Sequence, residues 1–140
     1  MSQIACNSYK VELLQAVHNF TATTGDTFKM ALYTAASTIS AATTVYTATN
    51  EASGPGYTAG GIVLTAITPV LVGTVGVATF YTPFFAAVTL TFQRALIYNS
   101  SKANRAVAVF DFGAPYTVSG GNLEILMPPA NATNAIIRVT

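Results

Sequence analysis

No charged side chain lies between Glu51 and Arg94, and this long neutral stretch sets what the chain can become. Pro69, Gly73, Gly76 and Pro83, with Thr65, Thr68, Thr74, Thr79 and Thr82, cut it into short pieces. A membrane-spanning helix needs about 20 mostly apolar residues in succession, so no membrane span is expected here. β-Branched residues dominate the pieces that remain, which therefore read as strands joined by turns. Charge is also what keeps free proteins apart. Only 8% of the whole chain is Asp, Glu, Lys or Arg, against about 25% in an ordinary soluble domain. The implication is a molecule whose outside is covered by other subunits, as in a structural assembly.

The 140 residues suit one domain, 1–140, large enough to bury about two-thirds of the surface of its unfolded chain. The formal charge is +1, and the bases Lys10, Lys29, Arg94, Lys102, Arg105 and Arg138 are scattered, apart from the Lys102/Arg105 neighbourhood. Nucleic-acid binding draws on a basic stripe that displaces counterions, so no nucleic-acid partner is expected. Cys6 is alone, which excludes an intrachain disulfide. The opening MSQIACNSYK lacks the basic and apolar regions of a signal peptide, which points to synthesis in the cytoplasm. The glycosylation-type tripeptides at Asn19, Asn99 and Asn131 then read as chance.

Residues 1–20 are expected to form an N-terminal helical segment and 27–140 a β-sandwich. In SYKVELLQAVHNF (8–20), Tyr9, Leu13, Ala16/Val17 and Phe20 recur at three-to-four spacing and make one apolar face. Ser8 is the expected N-cap, and Glu12 in the first turn suits the positive helix end. Thr27–Thr34 alternates, with Phe28, Met30 and Leu32 on one face and Thr27, Lys29 and Tyr33 on the other, as in a strand with one buried side. Thr34–Thr49 is almost wholly Ala, Thr and Ser, too little bulk for a core element, and reads as an irregular connection. Asn50–Gly61 (NEASGPGYTAGG) is a turn cluster whose glycines supply positive φ and close backbone approach. No Lys-Ser/Thr pair follows it, so it is not a phosphate loop.

Further strands are expected over Ile62–Ile67, Val75–Tyr81, Thr89–Tyr98, Arg105–Phe112, Leu123–Met127 and Ala135–Val139. Arg94 falls on the apolar Leu90/Phe92 face and needs a carboxylate, with Asp111 and Glu51 the candidates. Both faces of Arg105–Phe112 are apolar until Asp111, the pattern of an inner strand. Seven or eight strands with turn signals between them predict an all-β, single-domain jelly roll or β-sandwich with a short N-terminal helix.

Titratable groups are scarce. His18 is the only histidine, and at the end of the expected helix it reads as a C-terminal cap. No set of His and Cys ligands exists for zinc, and the acids Glu12, Asp26, Glu51, Asp111 and Glu124 lie far apart in sequence. Pairing Glu51 with Asp111 is the one conceivable carboxylate dyad. No catalytic, cofactor-binding or metal-ligating residue is expected, and no small-molecule substrate. Tyr33, Tyr46, Tyr57, Tyr81, Tyr98 and Tyr116 could stack on sugars, although core and interface packing is the plainer reading.

TFKMALYT (27–34), TNEASGPGYTAGG (49–61), ALIYNSS (95–101), AVAVFDFG (106–113) and ATNAIIRVT (132–140), in this order and spacing, resemble the small jelly-roll cement, or decoration, proteins of tailed bacteriophages. The resemblance covers nearly the whole chain from about Ser8 onward. It implies a structural protein of the virion, not an enzyme, that binds the outer surface of an HK97-type capsid, with the major capsid protein and its own copies as partners. Gly54, Gly56, Gly60, Gly61, Asp111 and Gly113 look like positions that specify the fold. A homodimer is expected, its seam formed by an edge strand or by Tyr9, Leu13, Val17 and Phe20. Deleting Met1–Phe20 should then weaken association and leave the sandwich folded. The alternative is a tail or head-fibre component that binds a receptor or glycan.

Overall fold

Residues 2–140 are described by this computed structural model. In chain order the elements are β1 (Ser2–Ala5), α1 (Asn7–Leu14), β2 (Phe28–Tyr33), β3 (Ile62–Leu64), β4 (Ala66–Val72), β5 (Val75–Phe80), β6 (Phe84–Asn99), β7 (Arg105–Glu124) and β8 (Ile137–Val139). They form two sheets, ordered β1-β7-β6-β2-β3 and β4-β5-β8, in which every neighbouring pair is antiparallel. The molecule is mostly β with one short helix. No helix among the described residues is long and apolar enough to cross a membrane.

The first departure from expectation is the helix, which stops at Leu14 instead of running to Phe20. Ala16 takes a left-handed φ of 55° and turns the chain back. The Ala16 amide then donates to the Leu13 carbonyl and the Val17 amide to the Glu12 carbonyl, the paired bonds of a Schellman ending. Nor is Ser8 the N-cap. Cys6 occupies that position without a side-chain capping bond, and the Ser8 hydroxyl is buried without a partner.

β2 follows its alternation: Phe28, Met30 and Leu32 are buried, and a central position in the sheet buries Ala31 and Tyr33 as well. The strand expected over Ile62–Ile67 breaks at Thr65, where the chain leaves one sheet (β3) and enters the other (β4). Bending a strand at a corner between sheets needs such an interruption. The strands expected over Arg105–Phe112 and Leu123–Met127 are corrected to one: β7 runs unbroken to Glu124. Gly113, Pro115 and Gly120 lie at register shifts within the β6–β7 ladder and do not end the strand. Gln93 of β6 stands alone opposite Phe112–Pro115, because Phe92 pairs with Tyr116 and Arg94 with Asp111. The first half of β7 is an inner strand, as expected, lying between β1 and β6. β1 itself was not expected.

One core serves both sheets. Phe20 stacks on Phe28 of β2 at 4.6 Å, and Phe28 meets Phe80 of β5 at 5.4 Å. Tyr9, Leu64, Leu96 and Val107 join the same cluster. Beyond Arg94 and Asp111, toward Phe84 and Glu124, β6 and β7 continue as a two-stranded ribbon with no further strand on either side among the described residues.

Candidate functional site

The charged groups come first, because chemistry or recognition would start there. Arg94 Nε donates to Asp111 Oδ2 at 2.8 Å, the partner expected of it. The Gly113 amide and the Arg94 guanidinium hold the Asp111 carboxyl below its ordinary range. Glu51 lies elsewhere on the sheet. Its backbone bridges Tyr33, Tyr33 pairs with Arg94, and Arg94 pairs with Asp111. Three strand spacings, about 14 Å, therefore separate the two acids, and the structure does not bring them together as a dyad.

Glu51 is instead the hub of a tyrosine cluster. It accepts hydrogen bonds from the Tyr46 hydroxyl, the Tyr57 hydroxyl and the Gly60 amide, each at 2.7 Å. Tyr57 in turn accepts from the Leu32 amide at 2.9 Å, and Tyr98 donates to the Gly60 carbonyl at 2.7 Å. Burial, followed by hydrogen bonding to Glu51, pushes the Tyr46 phenol well above its usual range. Of the six tyrosines considered for sugar stacking, only Tyr81 and Tyr116 are exposed. Tyr33 and Tyr98 are core residues, with Tyr98 stacked on Tyr46 at 4.8 Å.

A second polar chain ties the N-terminal segment to the sheet. The Asn99 Oδ1 accepts from the Ser101 amide at 3.1 Å, which turns Nδ2 toward His18 Nδ1 (3.0 Å) and Asp26 Oδ2 (2.8 Å). His18 Nδ1 must therefore accept, and Nε2 donates to Glu12 Oε2 at 2.8 Å. Glu12 Oε1 accepts from Arg105 at 2.8 Å. Burial opposes ionisation of Glu12, but the bonds from His18 and Arg105 outweigh it and hold the carboxyl below its ordinary range. His18 is thus no helix cap. It lies beyond the helix end, fully enclosed, and clamps α1 to the end of β6.

The residues expected to specify the fold sit mostly where strands and loops touch. Gly61 has φ +76°, and a Cβ there would collide with the Met30 carbonyl of β2. Gly54 and Gly56 lie as tightly against the Thr89 and Ala87 carbonyls of β6. Gly60 donates to Glu51 and accepts from Tyr98, whereas Gly113 has open space and is set only by its φ of +84°. The Gly113 amide donates to Asp111 Oδ1 at 2.8 Å.

The expected interface is corrected. Tyr9 and Phe20 are 2% and 6% exposed and belong to the core of their own chain, while Leu13 and Val17 are half-buried. With β1 in the sheet and Glu12 in the clamp, residues 2–20 pack as part of the fold. Removing them would take Tyr9 and Phe20 out of the core and Glu12 from its bonds with His18 and Arg105, so a loss of stability is expected as well as weaker association.

The accessible apolar surface lies elsewhere. At the tip of the β4–β5 hairpin Val70 and Leu71 are exposed, and around the ribbon so are Phe84, Tyr116 and Leu126. Phe92, Phe112, Tyr116, Leu123 and Ile125 enclose an apolar depression of about 270 Å³ beside Leu126. On one side of the ribbon Thr91 and Thr117 join hydroxyls at 2.8 Å. The hairpin comes from the neutral stretch noted in the sequence, whereas the depression takes only Phe92 from it and the rest of its lining, Glu124 included, from β7 and the residues after it. Exposure of the hairpin tip had no sequence signal beyond Gly73-Thr74 between Val72 and Val75. No protein-family model, curated protein or solved structure matches this chain.

Proposed function

We propose that this chain is a capsid cement protein, a jelly roll of two facing sheets that binds the outer surface of an HK97-type phage shell and holds neighbouring capsomers together. The observation that carries this reading is the distribution of charge. Asp111, Asp26 and Glu12 are engaged in ion pairs and Glu51 in the tyrosine cluster, whereas the β4–β5 hairpin and most of the ribbon present apolar and Thr-rich surface without charge. Thr methyls and valines supply contact area there, and hydroxyls fill hydrogen bonds at the rim. The resemblance of five sequence strings to phage cement proteins supports it independently.

The mechanism is linkage. A protein that binds the assembled shell but not free subunits stabilises the shell by mass action. Copies that bridge two capsomers must release two surfaces at once, which multiplies weak contacts. A homodimer with an isologous seam fits this role.

Co-sedimentation of the purified protein with expanded shells tests the reading, and hundreds of copies per particle are the expected result. A stoichiometry of six or twelve, or no binding, overturns it. The aromatic depression beside exposed Tyr116 favours a second reading, a tail or fibre component that stacks on a glycan. Glycan-array binding abolished by Tyr116→Ala would establish that one instead.

A further inference from the structure

Each sheet ends on a short strand with an open edge, and the two open edges face one cleft. β1 closes the five-stranded sheet and pairs only with β7, while β8 closes the three-stranded sheet and pairs only with β5. Gln3 and Ala5 from the first, and Ile137 and Arg138 from the second, wall a cleft of about 600 Å³ together with Tyr9 and Lys10 of α1. Outside the cleft, Gln3 Nε2 donates to the Asn134 carbonyl at 3.3 Å.

The backbone of β1 is poised for a partner. The Cys6 amide donates to the Val107 carbonyl, and the register pairs Ile4 with Val109 and Ser2 with Asp111. Alternation in an antiparallel ladder then points the amides and carbonyls of Gln3 and Ala5 away from β7, into the cleft. Two side-chain atoms there are also unmatched. The Tyr9 hydroxyl, on a residue only 2% exposed, and the Gln3 Oε1 are buried without hydrogen-bond partners. Buried polar groups are ordinarily paired, so both mark places for a ligand's donor or acceptor.

Charge gives the ligand its sign. Arg94, Lys102 and Arg105 each have a carboxylate partner, whereas Lys10, Lys29 and Arg138 have none among the described residues, and Lys10 and Arg138 of these line this cleft. They bond only to the Asn7 side chain and the Thr133 carbonyl. We propose that the cleft receives an extended acidic segment of a partner protein, which adds as a strand to the open edge of β1 and brings a carboxylate to Lys10 and Arg138. Main-chain bonds to Gln3 and Ala5 supply the docking, and the two cations supply the choice of sequence. The inference stands apart from the capsid reading, because a peptide can be tested without shells.

The test uses the full chain, labelled for amide NMR, and blocked hexapeptides alternating valine with glutamate, glutamine or lysine. The glutamate peptide is expected to bind at least about tenfold more tightly than the glutamine peptide, and the lysine peptide more weakly still. Hydrogen exchange of the Gln3 and Ala5 amides should slow on binding. Reversing both exposed cations, Lys10→Glu with Arg138→Glu, should turn the preference toward the lysine peptide while the amide spectrum stays that of a folded chain. Equal affinity for the three peptides, no binding at millimolar concentration, or protection at another strand overturns the proposal. So does protection of Gln3 and Ala5 in the free chain, which would mean that a second copy already fills the cleft.

Discussion

Glu12 on the N-terminal helix and Arg105 at the start of β7 are joined by a 2.8 Å hydrogen bond across 93 residues of sequence. His18 reaches the other oxygen of the same carboxylate, so a single buried acid fastens the first turn of chain to the main sheet. Replacing Glu12 by Ala leaves His18 without its acceptor, and a stability loss of about 2 kcal/mol is expected in urea unfolding. The partly exposed Arg105 side chain contributes less, because solvent screens it.

The same carboxylate gives a pH dependence of defined sign. Its folded-state ionisation lies below the ordinary value of 4.5, so the unfolded chain binds the proton more readily. The contribution of Glu12 is complete above pH 4.5 and fades as the pH falls through its lower folded-state value. Glu12→Gln should flatten the acid limb of the stability curve, measured by denaturant midpoints between about pH 3 and 6.

Ala16 sits in the left-handed region where glycine is the usual choice. Ala16→Gly is therefore expected to raise stability by about 1 kcal/mol. An unchanged melting temperature would count against the Schellman ending described here.

Two glycines make a controlled pair. Gly61→Ala forces a methyl into the Met30 carbonyl and should cost more than about 3 kcal/mol or prevent folding. Gly113→Ala meets no atoms and should cost about 1 kcal/mol, from its backbone angle alone. Parallel thermal melts of the two variants check the difference.

Burial, and then the Glu12 charge, pushes the Cys6 thiol up to about 11. At pH 8 only about one molecule in a thousand then carries the thiolate. Alkylation of the native protein should be slow and should accelerate when urea releases the N-terminal segment. Fast labelling without denaturant would contradict the enclosure of Cys6.

Leu71, 71% exposed at the hairpin tip, tests the capsid reading without disturbing the core. Leu71→Asp should change stability by no more than about 0.5 kcal/mol. Co-sedimentation with expanded shells should nevertheless be lost.

Local patterns were legible in the sequence, and distant relationships were not. β2 was readable because Phe28, Met30 and Leu32 alternate and are all buried, and Arg94 found Asp111 because an arginine on an apolar face must be neutralised. The expected helix is too long because its apolar spacing continues through Val17 and Phe20, although Phe20 packs in the core from the returning chain and Val17 is only half-buried. β1 has no alternation to read, since Ser2–Ala5 becomes a strand only by pairing with β7. His18 offered no clue to its partner Asn99, which lies 81 residues away. The proposed cleft was hidden for the same reason: it exists only where the two termini meet.

That pairing of Ser2–Ala5 with Ala108–Asp111 joins segments far apart in the chain, which bears on how the chain folds. Ser2–Ala5 cannot join the sheet until a segment more than one hundred residues further along the chain is in place. Closing so large a loop is slow, because the entropy of closure comes before any contact rewards it. Docking of Ser2–Ala5 onto β7 is therefore expected to come late in folding, after the strand it pairs with has formed.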